Sequence, residues 1–90
     1  MPYIKKEDRK WFDESINELV DRLCSLEDGP VAGELNYVIS SILVRCMRRK
    51  KLCYKLANRL DGVLGCVCKE FYRRWIVPYE DIKIKENGDI

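Results

Sequence analysis

Five cysteines, Cys24, Cys46, Cys53, Cys66 and Cys68, are the most reactive side chains in the sequence, and no histidine accompanies them. A thiolate nucleophile wants a neighbouring base, and the commonest one is missing from the chain. Structural zinc needs thiols that converge, whereas "CVC" at 66 to 68 sets its two sulfurs about 200° apart around a helix. An odd cysteine count without a small-loop framework points instead to free, buried thiols that pack as small hydrophobes, Cys46 beside Met47 among them. Carboxylates fare no better. Magnesium sites in helical proteins draw acids from facing helices, but Glu14, Glu18 and Asp21 share one segment, with only Glu34, Asp61 and Glu70 spread over the later ones. "GVLG" at 62 to 65 lies inside a helical pattern, so its amides are committed to intrahelical bonds and cannot cradle a phosphate. The expectation is no catalytic residue, no cofactor and no metal site: the chain is not read as an enzyme.

Binding chemistry is better represented. "RCMRRKKLCYKLANR", residues 45 to 59, holds seven cations with Tyr54 among them, and "KEFYRRW" adds Lys69, Arg73 and Arg74 beside Tyr72 and Trp75. Cations interleaved with aromatics suit phosphates and stacked bases. The candidate binding surface is therefore Arg48, Arg49, Lys50, Lys51, Tyr72, Arg73 and Arg74. The first run also closes a helix, where cations interact favourably with the negative end of the dipole. A dedicated nucleic-acid binder would be far more basic than a net charge of +2. A solvated basic end or a protein-binding surface is accordingly the favoured reading, and a nucleic acid or anionic nucleotide is the alternative.

Three helices must position these residues. Trp11, Phe12, Ile16, Leu19, Val20, Leu23 and Leu26 keep to one side of a helix over about 8–26, which "EDGP" interrupts. Asp13 is a plausible N-cap, leaving "KKEDRKWF" to start as a separate short turn. Val31, Leu35, Val38, Ile39, Ile42, Leu43, Cys46 and Met47 define a second helix over 31–49. A third, over 56–76, turns Leu56, Leu60, Val63, Leu64, Val67, Phe71 and Trp75 toward the core. Gly62 and Gly65 inside it each cost about 1 kcal/mol against alanine, which implies that a neighbouring backbone approaches them. The short link at "KKLCYK" predicts antiparallel second and third helices.

Pro78 predicts that the last helix stops near Val77. Residues 79–90 are then expected as an ordered extended strap anchored by Tyr79, Ile82 and Ile84, with "IKIK" offering a brief β pairing to Tyr3 or Ile4. Arg73 or Arg74 would latch that strap through Glu80 or Asp81.

Ninety residues suit one domain, 1–90, with a thin core that a partner subunit would complete. Apolar residues at 47% and charged ones at 36% mark a folded chain rather than a disordered or membrane-spanning one. The charge is uneven: residues 31–60 hold seven basic and one acidic side chain, against five and eight before them and five and six after. With no signal-like apolar run after "MPYIKK", a cytoplasmic location is expected.

"MPYIKKEDR" at the start, "GELNYVIS" from Gly33 and "EFYRRWIVPYEDIKIKENGD" from Glu70 resemble a family of small uncharacterised bacterial and bacteriophage proteins. The resemblance runs through Glu34, Asn36 and Tyr37, through Glu70 to Arg74, and through Pro78 to Asp81, and is weaker across the basic run. It implies family membership and a bacterial or phage setting, without an assigned function. The sequence thus predicts an all-α, three-helix, non-catalytic binding or regulatory protein that forms a homodimer and acts by protein–protein contact.

Overall fold

The structure, a computed structural model, describes residues 3–90, so the first two residues of "MPYI" lie outside it. It is all-α, with no strand among the described residues. The chain divides into two compact units, one ending at Lys51 and the other beginning at Leu52.

In the first unit a 3₁₀ turn at Lys6–Asp8 precedes α1, Lys10–Leu23. Asp13 is not the cap expected of it. The N–H groups of Phe12 and Asp13 both reach the Arg9 carbonyl at 3.0 Å, and Asp13 lies in the first turn, where its charge suits the positive end of the dipole. The helix stops three residues short of Leu26. "EDG" then closes a turn through the Gly29 N–H to the Leu26 carbonyl at 3.0 Å, with Gly29 at φ +83°, a conformation in which a side chain would be strained. α2 follows at Ala32–Arg49, as its apolar spacing predicts, with Glu34 in its first turn and Arg48 and Arg49 in its last. α1 and α2 do not pack along each other's length.

The second unit is one continuous helical run. α3, Tyr54–Phe71, passes into a π turn at Tyr72–Ile76 and on into α4, Val77–Asn87. The expected stop at Pro78 does not occur, and the C-terminal extension is ordered as a helix rather than as an extended strap. Proline inside an α-helix lacks the N–H that would bond the carbonyl four residues back and drives its ring against that carbonyl. Here the Val77 N–H bonds the Tyr72 carbonyl, five residues back, and this wider turn accommodates Pro78 in the first turn of α4. Ile82 and Ile84 are helical, so the β pairing expected of them does not form. "ENGD" ends the helix: Gly88, at φ +84°, returns its N–H to the Ile84 carbonyl at 2.8 Å.

No described residue is fully buried, which corrects the expectation of an internal core. Each apolar stripe predicted for the core stays largely exposed, with Leu23, Val38, Leu43, Met47, Leu56 and Leu60 half-buried, because within its own unit no second helix covers it. The five cysteines are free, as expected, but exposed rather than buried, Cys46 included. A Cβ added at Gly62 or Gly65 would meet nothing within 4 Å, so the backbone approach inferred there is absent.

Candidate functional site

The residues proposed as a binding surface fall into two groups, one in each unit. Arg48 and Arg49 occupy the last turn of α2, Lys50 is its C-cap, donating its N–H to the Cys46 carbonyl at 3.2 Å, and Lys51 follows; all four are exposed. One face of α2 carries Tyr37, Ser40, Ser41, Val44, Arg45 and Arg48 around a shallow, open depression of about 290 Å³. Ser40 donates its hydroxyl to the Asn36 side-chain oxygen at 3.3 Å. Arg45 and Arg48 belong to the basic run 45–59 expected of this surface, whereas Ser40 and Ser41 are not among the residues expected to act with it. Their spacing of three and four residues is the signal that places them on one face.

Tyr72, Arg73 and Arg74 make up the first three residues of the π turn. Arg73 reaches back to Glu70, one guanidinium nitrogen lying 3.1 and 3.0 Å from the two carboxylate oxygens, instead of forward to the acids after Pro78. The forward link is made by Tyr72, whose hydroxyl donates to a Glu80 carboxylate oxygen at 3.3 Å. The Arg74 guanidinium lies 4.5 Å from the Trp75 ring centre, and Phe71 and Trp75 stack with centroids 6.0 Å apart and an interplanar angle of 29°. The expected latch between an arginine and a tail acid is thus replaced, for Arg73, by a local ion pair, while a tyrosine spans the π turn.

Among the described residues no three histidine, cysteine, aspartate or glutamate side chains are grouped to hold a metal ion, and no helix is long and apolar enough to cross a membrane. What the surface does present is apolar area on amphipathic helices. Trp11 is 71% exposed on α1, and Phe71, Trp75 and Tyr79 are each more than half exposed along the second unit. Such surface is suited to contact with another protein.

The chain belongs to the family described as a domain of unknown function (DUF6899), which it matches over residues 1–90. No match to it was found among curated proteins or solved structures. Membership agrees with the expectation of a family without an assigned function, and brings no activity with it.

Proposed function

We propose that this is a small non-catalytic binding or regulatory protein that self-associates and acts through protein–protein contact, in the cytoplasm of a bacterial cell or a phage-infected host. The observation that carries the reading is the exposure of the apolar stripes of α1, α2 and α3 together, with no described side chain fully buried. Amphipathic helices gain most of their stability from covering such a face, so a second protein surface is the natural partner. Light scattering at micromolar concentration should give a mass near twice the 10.7 kDa of one chain. The thermal midpoint should rise with protein concentration, since association stabilises the folded form by mass action. A monomer mass with a concentration-independent midpoint overturns the reading.

A second reading, binding of a nucleic acid or an anionic nucleotide, draws its support from the depression on α2, where two arginines and two serine hydroxyls lie together beside Tyr37. Such binding would weaken steeply between about 50 and 200 mM salt. Charge reversal of Arg45 and Arg48 would abolish it.

A further inference from the structure

We infer that the apolar stripe of α3, the π turn and α4 is one half of a two-fold antiparallel helix pair, made with a second copy of this chain and centred between Phe71 and Trp75. This rests on the self-association proposed above and gives it a surface and a register. The stripe is Leu60, Leu64, Val67, Phe71, Trp75, Tyr79 and Ile82, closed by Glu86. Its steps are four, three, four, four, four, three and four, a spacing that reads identically from either end. An α-helix cannot hold that spacing on one face: between Leu60 and Glu86 the stripe would drift by about 80°. The π turn takes one residue out of the count and brings the two ends to within about 20° of each other. The stacked rings of Phe71 and Trp75 keep this side continuous from the end of α3 into the π turn, and within α4 the Lys83 ammonium, on the flank of the stripe, lies 5.7 Å from the Tyr79 ring centre.

An antiparallel second copy meets this spacing in register. Phe71 then faces Trp75 of the second copy, Val67 faces its Tyr79, and Leu64 faces its Ile82, so each bulky ring of the C-terminal half is set against a smaller or matching partner. A parallel pair would instead stack Trp75 on Trp75 and Val67 on Val67, crowding some layers and leaving others hollow. Leu64 is 42% exposed, Val67 57%, Phe71 55%, Trp75 52%, Tyr79 58% and Ile82 55%. On the order of 100 Å² from each, over two copies, amounts to about 1,200 Å², the lower end of what a stable interface buries. On one flank Asp61 comes beside Lys83 of the second copy, an ammonium that also lies 3.2 Å from Glu86 of its own helix. On the other Arg59 approaches Lys85, so attraction and repulsion offset each other.

Two measurements on the full chain test this. In the unmodified protein, a zero-length carbodiimide cross-linker should join Asp61 to Lys83. Within one helix these residues are about 33 Å apart, so that product forms only between copies held antiparallel. Separately, Leu64→Glu and Ile82→Lys should each raise the dimer Kd at least tenfold with helical content retained. The double variant sets the introduced carboxylate of one copy against the introduced ammonium of the other, and should recover most of the loss. A wild-type monomer overturns this inference and the proposed self-association together. A wild-type dimer that is indifferent to both single changes overturns this stripe alone, leaving it to another occupant such as the chain's own N-terminal helices. Dissociation by the single changes with neither rescue nor the Asp61–Lys83 product overturns the antiparallel register.

Discussion

At the scale of single residues, glycine gives the clearest test of how the second unit is packed. Gly62 and Gly65 lie inside α3 with open space where a Cβ would stand, and both fall away from the stripe that centres on Phe71 and Trp75. Alanine at either position should therefore stabilise the protein by about 1 kcal/mol, through helix propensity and a less entropic unfolded chain. Denaturant melts of Gly62→Ala and Gly65→Ala check this, and a lowered midpoint would show that another surface does close on the glycine face. The Glu70–Arg73 pair is a weaker matter. The Arg73 side chain is 70% exposed, so Glu70→Gln should cost no more than about 0.5 kcal/mol in a thermal melt. Tyr72→Phe removes the hydrogen bond that joins the π turn to Glu80, and with both groups exposed its effect should be of similar size.

At the scale of elements, Pro78 decides the phase of everything after it. The π turn spaces the carbonyls so that a residue without an N–H fits the helical run, and the same turn keeps Tyr79 and Ile82 in line with Val67 and Phe71. Pro78→Ala restores a donor to the Arg74 carbonyl and lets the turn close to α geometry. Helical content by circular dichroism should hold or rise. Self-association should weaken, by roughly three- to tenfold in Kd, as the C-terminal layers rotate off the stripe. Equal affinity for the variant and the native chain would show that the phase of α4 does not matter.

At the scale of the whole molecule, a chain with no fully buried side chain among its described residues has its stability tied to what covers it. Deleting residues 79–90 removes most of α4 together with Tyr79 and Ile82. The loss should be on the order of 1 kcal/mol for each of these half-exposed side chains, expressed mainly as lost association. Sedimentation of the truncated chain should show a monomer across the micromolar range. Because the flanking charges of the proposed pair offset each other, the dimer Kd should change less than about twofold between about 50 and 500 mM salt. An anion bound at the arginines of α2 would respond far more steeply, so the same titration separates the two modes of binding.

Much of the fold is legible in the amino-acid sequence. Apolar residues recurring every three and four positions place α2 to within a residue of its ends, and Gly29 and Pro30 mark where the chain turns before it, since periodicity and backbone restriction are local properties. The continuation through Pro78 was not legible. Proline's local preference argues for a stop, and only the three-dimensional course of the chain, with the Val77 N–H carried to the Tyr72 carbonyl, shows how a widened turn removes the conflict. The pairing of Arg73 with Glu70 equally follows from the continuous helix, in which Glu70 lies three residues back on the neighbouring turn, whereas a strap folding back after Pro78 would have brought Glu80 or Asp81 to the arginine instead. Periodicity also told which side of each helix is apolar, but not what covers it: hydrophobic patterning records that a face seeks burial, whereas the placement of the helices within each unit decides that it is still open.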